Sequence, residues 1–273
     1  VVEYEPSDLT ATVQAGKTLA DFQRHLAERG QSLALDPPSA QEATIGGILA
    51  ANASGPSRHA YGTARDLILG IRAVQADGRI IKAGGRVVKN VAGYDLSRLF
   101  IGSLGSLGII VEASFRLAPV PVPGTERTAV ISFPSAQEAW RFAAQTANLG
   151  LRAVELLNAE AVRQATTPSA PAKDGYALVL ATAGEPAAVE RSLKEVGELS
   201  RQAGAASLAE VDESAQGPLW QAIAGLARPS PSDTALVCKA AVLPSQVPTL
   251  SEQIETMRRD LALEPLVVSH LTA

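Results

Sequence analysis

A single cysteine, Cys238, stands among 273 residues, which excludes an internal disulfide and any cysteine-held iron–sulfur cluster and fits a reducing compartment. Basic excess is missing too. With 24 Lys and Arg against 28 Asp and Glu, a net charge of −4 and a pI near 5.5, the chain has no electrostatic footprint for nucleic acid or an anionic membrane surface. No apolar run is long enough to span a bilayer, so direct membrane insertion is not expected. The chain opens on Val1-Val2-Glu3-Tyr4, without a signal peptide or initiator Met and inside an expected strand, which reads as a fragment. The histidines, His25, His59 and His270, show no H-x-x-x-H spacing for a metal. Walker A, G-x-G-x-x-G and G-x-S-x-G patterns are absent, so a P-loop, a Rossmann dinucleotide site and serine hydrolase chemistry have no support. Coiled coil, internal repeat and low-complexity tract are not seen either.

What is present is 46% hydrophobic and 19% charged residues, enough for a sizeable core and for two domains. The most informative stretch runs from Asp36 to Gly55. Pro37 and Pro38 impose an extended approach, Thr44 is placed to cap a short helix, and Gly46 and Gly47 leave its first turn bare. Free N–H groups and the positive dipole end there would attract phosphate, so a phosphate-bearing cofactor held by backbone is the expectation. Asn52, Ser54 and Gly55 follow where that helix would end.

Along the chain, two strands are expected within residues 1–13, then a helix capped by Thr18 and stopped at Gly30. A loop through Arg58-His59-Ala60-Tyr61-Gly62 leads to a hairpin over 67–83 turning at Asp77-Gly78. Asp95 is placed to cap a helix bearing Leu96, Leu99 and Phe100, followed by a glycine-punctuated turn from Gly102 to Gly108 and a buried strand. Three prolines between Leu117 and Gly124 mark a domain boundary. Beyond it, strands at 128–133, 153–157, 176–182, 235–242 and 266–269 alternate with helices capped at Ser135, opened near Pro186, centred on Trp220 to Leu226, and bearing Leu250, Ile254, Met257 and Leu261. A proline-rich surface loop is expected over 166–173. The pattern predicts an α+β layer with helices on one face of a mainly antiparallel sheet. Cys238 reads as a small core residue, and Glu210, Asp212 and Glu213 as a solvated face or a helix N-terminus. His25 reads as a surface or packing residue; His59, beside the phosphate-binding candidate, and His270, at a strand end, are the histidines with a claim to a site.

Taken together, Gly16-Lys-Thr-Leu, Leu35-Asp-Pro-Pro-Ser, Ala43-Thr-Ile-Gly-Gly, Ala51-Asn-Ala-Ser-Gly, Tyr61-Gly62, Val88-Lys-Asn-Val-Ala-Gly-Tyr-Asp-Leu and Gly105-Ser-Leu-Gly-Ile-Ile-Val-Glu resemble the FAD-binding domain of the vanillyl alcohol oxidase and p-cresol methylhydroxylase (PCMH) superfamily. Within it the sequence is most similar to the FAD-binding subunits of bacterial glycolate oxidases, the GlcE type. The resemblance covers about the first half of the chain and continues more weakly through the second.

It implies a PCMH-type FAD-binding domain of two α+β subdomains over 1–123, the N-terminal one truncated because the family's first pyrophosphate loop is missing, and a ferredoxin-like α+β cap over 124–273, shortened at its end. By the resemblance, Pro38, Ser39, Thr44, Gly46 and Gly47 would line the pyrophosphate and ribityl region, and Asn52, Ser54 and Gly55 would approach the flavin. Tyr61 and Gly62 sit in the matching loop, Gly105, Gly108, Ile109 and Ile110 would face the adenine side, and Lys89, Asn90 and Tyr94 fall in a flavin-side or interface loop. The implied function is an FAD subunit that oxidises glycolate, or a similar small 2-hydroxy acid, together with a catalytic FAD subunit and an iron–sulfur subunit. The implied location is cytoplasmic, with membrane association only through partners. A free-standing FAD-dependent D-2-hydroxy acid dehydrogenase and a non-catalytic assembly subunit are the alternatives. The histidine-rich metal site of the related catalytic subunit has no counterpart between Thr125 and Ala273.

Overall fold

The computed structural model describes residues 1–85, 95–122, 124–165, 175–228 and 236–271. The expected flavin-side loop with Lys89, Asn90 and Tyr94, and the proline-rich loop over 166–173, lie outside the described residues. The chain divides into two compact units, Val1–Val120 and Pro121–Ala273.

In the first unit, β1 (Glu3–Glu5) and β2 (Thr10–Gln14) pair antiparallel, and α1 (Leu19–Ala27) follows with Thr18 accepting the Asp21 amide as its cap. Then come β3 (Gln31–Ser32), α2 (Ile45–Ala51), the single turns α3 (Arg58–Tyr61) and α4 (Ala64–Leu67), β4 (Ile68–Val74) and β5 (Ile80–Gly84). The unit closes with α5 (Leu96–Phe100), β6 (Ile109–Arg116) and β7 (Ala118–Pro119). Five strands make one antiparallel sheet in the order β1-β2-β6-β4-β5, and β3 pairs with β7 apart from it.

One sheet face is apolar. Val13, Ile71, Ala113 and Phe115 meet Leu19, Phe22 and Leu26 of α1 and Ile45, Ile48 and Leu49 of α2 in a single core. The other face carries Thr12, Ser114, Arg72, Lys82 and Glu112, with Thr12 and Ser114 hydroxyls bonded at 2.8 Å. Leu96 and Leu99, expected inside, are about half exposed, because α5 is one short turn and only Ser97 and Phe100 reach the core side. At the hairpin turn Gly78 alone takes a positive φ.

The second unit runs β8 (Arg127–Phe133), α6 (Ala136–Gln145), β9 (Ala153–Asn158), α7 (Ala159–Ala165), β10 (Tyr176–Thr182), α8 (Pro186–Gln202), β11 (Ser207–Glu210), α9 (Glu213–Gly225), α10 (Val247–Leu261) and β12 (Val268–His270). Its sheet order is β11-β8-β10-β9-β12, every pair antiparallel. The path β8-α6-β9-β10-α8-β11 in the order β11-β8-β10-β9 is ferredoxin-like.

Helices cover both faces rather than one. Phe133, Leu156, Leu178 and Leu180 pack with Ala139 and Phe142 of α6 and Val196 of α8, while Val130, Leu157 and Val179 pack on the opposite side with Val162 of α7 and Leu219, Trp220 and Ile223 of α9. The second layer escapes a sequence reading because α9 holds Gly217 and Pro218, and only its back half shows apolar spacing. The strand expected over 235–242 is also corrected: residues 236–243 are exposed throughout and join no strand, so Cys238 is exposed and not a core residue.

Candidate functional site

The loop into α2 is held by its own backbone. Ser39 takes a left-handed conformation (φ 61°), and its carbonyl accepts the amides of Glu42 and Ala43, both at 2.9 Å. The amides of Ser39, Ala40 and Gln41 donate to nothing among the described residues and form a row of three adjacent donors beside half-buried Pro38. Thr44 caps α2 as expected, its Oγ1 accepting the Gly47 amide at 3.2 Å.

The helix start is not bare. Ile45 N–H donates to the Lys17 carbonyl at 2.9 Å and Gly46 N–H to the Ala15 carbonyl at 2.8 Å, because 43–46 runs alongside the turn after β2, with Thr18 and Thr44 forming a bridge. The expectation of free N–H groups at Gly46 and Gly47 is therefore corrected. A Cβ on Gly46 would lie 3.0 Å from the Ala15 side chain and one on Gly47 3.2 Å from Thr44 Oγ1, so close packing and capping account for both glycines.

At the other end of α2, Asn52 ends the helix in the left-handed region (φ 46°). The turn from Gly102 docks there, with Gly102 N–H on the Leu49 carbonyl at 3.0 Å and Leu104 N–H on the Ala50 carbonyl at 2.9 Å. Asn52 Oδ1 and Ser103 Oγ are both buried there, with no hydrogen-bond partner among the described residues. Orphaned buried polar atoms are uncommon in folded proteins, and two on neighbouring segments fit a ligand bearing its own donors and acceptors. Gly105 (φ 78°) has open space around it, Ile109 is 70% exposed, and Ile110 turns into the core.

A third group closes the loop behind α2. Both carboxylate oxygens of Asp36 accept the Ser57 amide, at 3.2 and 2.9 Å, and a Cβ on Gly55 would stand 1.9 Å from the Asp36 carbonyl oxygen. Gly62 (φ 79°) sits against Asp66, which accepts from the Thr63 amide and hydroxyl, and half-buried Tyr61 ends α3 just before it. Gly108 lies against the Val74 carbonyl. The structure thus brings Asn52 together with the Gly102–Gly105 turn, and Gly55 and Ser57 with Asp36. Pro38 and Ser39 belong to the loop that enters the opposite end of α2, a helix about 10 Å long. Ser103 was missed in the sequence, where a serine between glycines carries no signal.

The depression on the polar sheet face, lined by Gly70, Arg72, Lys82, Glu112 and Ser114, holds only about 20 Å³, room for a water and not for a substrate. Among the described residues no three His, Cys, Asp or Glu side chains group as metal ligands. His270 Nδ1 lies 2.7 and 2.9 Å from the two oxygens of buried Glu155, directly opposite on β9, and this pair ties β12 to the sheet. The His25 ring packs tilted against Tyr4, centroids 5.6 Å apart, and His59 is engaged within the protein.

A family profile described as "FAD binding domain" matches residues 1–84, and one described as "FAD linked oxidases, C-terminal domain" matches residues 122–273, over half of the chain. The chain belongs to the FAD-linked oxidase family. FAD is this family's cofactor, and the orphaned atoms at the end of α2 with the free amides of 39–41 fit such a group. Among FAD-linked oxidase relatives, the glycolate oxidase subunit GlcE of Escherichia coli (strain K12) is 43% identical over 122 residues, 44% of this chain and 35% of that protein. A cytochrome-type mitochondrial D-lactate dehydrogenase of Saccharomyces cerevisiae is 38% identical over 161 residues, 58% of this chain and 27% of that protein. The chain therefore spans about a third or less of the length of these relatives. A solved structure of alkyldihydroxyacetonephosphate synthase superposes with a TM-score of 0.67 at 21% identity, covering 83% of this chain and 45% of that one, which shows the PCMH-type fold.

Proposed function

We propose that this chain is part of the FAD-binding subunit of a glycolate oxidase-type 2-hydroxy acid oxidoreductase, working with a catalytic FAD subunit and an iron–sulfur partner. The observation that carries the reading is the pair of buried polar atoms, Asn52 Oδ1 and Ser103 Oγ, without a partner among the described residues, in a chain that is 43% identical over 122 residues to a glycolate oxidase subunit. When bound, FAD supplies the hydride acceptor for oxidation at the carbon bearing the hydroxyl. The chain's own part is placement. The amides of Ser39, Ala40 and Gln41 donate to acceptor oxygens of the cofactor, and Pro38 fixes their approach. Asn52 and Ser103 bond the cofactor's polar edge, while Ser54, Gly55, Tyr61 and Gly62 hold the neighbouring loop, Gly105 and Ile109 present an open turn, and Gly108 seats that turn against the Val74 carbonyl. Thr44, Gly46 and Gly47 act through the seat of α2 on the first unit's sheet.

The D-lactate dehydrogenase relative, aligned over a longer part of this chain than GlcE, favours a second reading, a free-standing D-2-hydroxy acid dehydrogenase. Anaerobic titration of the FAD-loaded protein separates the two. Bleaching of the flavin absorbance by glycolate only when partner subunits are present supports the subunit reading. Bleaching by D-lactate in the isolated protein supports the second, and failure to retain any flavin sinks both.

A further inference from the structure

In the second unit, α8 does not close against the connection from α6 to β9. Ala188, Arg191, Ser192 and Glu195 stand at i, i+3, i+4 and i+7, a single stripe along the helix. Ser192 fixes this stripe in place, its hydroxyl donating to the Leu149 carbonyl at 2.9 Å. Between the stripe, residues 148–150 and the end of β10 lies a cavity of about 370 Å³. That volume is in the range of small-molecule sites, unlike the depression of about 20 Å³ on the first unit's sheet.

Its walls carry hydrogen-bonding groups that the fold leaves unused. The amides of Asn148, Gly150 and Ala183 donate to nothing among the described residues. A Cβ on Gly150 would meet no atom within 4 Å, so the main chain there is bare. Thr182 follows Leu178 and Leu180 on the α8 side of β10; it is 4% exposed, and no described residue bonds its hydroxyl. Arg191 and Glu195 line the same cavity at the four-residue spacing that lets opposite charges pair on a helix, and neither forms an ion pair among the described residues. The side chains of Leu149, Ala188 and Val189 make the rest of the lining apolar.

We propose that this cavity binds a free α-amino acid with an apolar side chain. Arg191 and the unused amides of Gly150 and Ala183 hold its carboxylate, Glu195 holds its ammonium group, and its side chain lies on Leu149 and Val189. The set of groups selects this class of ligand. A plain carboxylate leaves Glu195 unmatched, a plain amine leaves Arg191 and the free amides unmatched, and an inorganic anion leaves the apolar lining uncovered. The site is independent of the flavin reading, because every residue it uses lies in the second unit.

L-leucine is the probe, titrated into the 15N-labelled chain while amide chemical shifts are followed. Saturable shifts should centre on 148–150, 182–184 and 188–195, with a millimolar or tighter dissociation constant. 4-Methylpentanoate, which lacks the ammonium group, and isoamylamine, which lacks the carboxylate, should each bind at least tenfold more weakly. Arg191→Gln and Glu195→Gln, both at exposed positions, should each weaken L-leucine at least tenfold and leave the melting temperature of the ligand-free chain unchanged. Absence of saturable shifts at millimolar L-leucine, or affinity unchanged in both variants, overturns the proposal. Equal binding of 4-methylpentanoate and L-leucine overturns the amino-acid class in favour of a simple carboxylate.

Discussion

At the scale of single residues, the site separates glycines and polar atoms that the fold needs from those it does not. Asn52 already sits in the left-handed region that glycine adopts freely, so Asn52→Gly keeps the end of α2 and deletes an atom the protein leaves unpartnered. The cofactor-free protein should melt at the same temperature or higher, and FAD affinity should fall about tenfold, the worth of one hydrogen bond to a buried group; equal affinity by fluorescence titration would remove Asn52 from the site. Gly55→Ala should behave in the opposite way. A Cβ there meets the Asp36 carbonyl, and urea unfolding should show a loss of about 3 kcal/mol whether or not FAD is present. In the second unit, burial pushes the Tyr176 phenol up to about 12, and the Glu255 and Glu252 carboxylates push the same way. Its folded pKa lies above the unfolded value near 10, so the stability it contributes is complete below pH ~10 and is lost as pH climbs from there toward 12. Melting temperatures followed from pH 9 to 12 should drop less steeply in Tyr176→Phe. These distinctions were half visible in the sequence. Thr44, Asp95 and Ser135 are legible as caps because a cap is a local bond between near neighbours, whereas the contacts of Gly46 with Ala15 and of Gly55 with Asp36 depend on where distant chain lies.

At the scale of elements, periodicity located β2, α1, α2, β4, β5, β8, α6, β9, β10, α8 and α10. It did not locate β11, whose Ser207–Glu210 alternates weakly, or the front half of α9. Besides its apolar packing, α9 is held by a polar contact spanning about ninety residues. Thr128 Oγ1 donates to Gln216 Oε1 and accepts from Trp220 Nε1, each at 2.9 Å, and Arg152 stacks over the Trp220 ring at 5.7 Å. Thr128 is fully buried, so Thr128→Val keeps the shape and strands a donor and an acceptor inside the protein. The expected cost is about 2–6 kcal/mol in denaturant unfolding, about one to three per orphaned group. A loss below half a kcal/mol would show that water takes over both bonds, and that α9 is held by Leu219 and Ile223 alone.

At the scale of the whole molecule, the cores decide how the chain comes apart. One apolar core lies wholly within Val1–Val120, and the two that sandwich the second sheet lie wholly within Pro121–Ala273. Among the described residues each apolar cluster is confined to one unit, so calorimetry should resolve two unfolding transitions rather than one. Every residue proposed to touch FAD lies in the first unit, between Pro38 and Ile109. A ligand that binds only the folded form stabilises the unit that binds it, by about 2.7 kcal/mol at a hundred times its dissociation constant. Added FAD should therefore raise the transition that Gly55→Ala lowers and leave unmoved the one that Thr128→Val lowers, the two variants serving to assign the peaks. If FAD raises both together, the cofactor's contacts extend into the cap unit, and the site built around α2 is one part of a larger one.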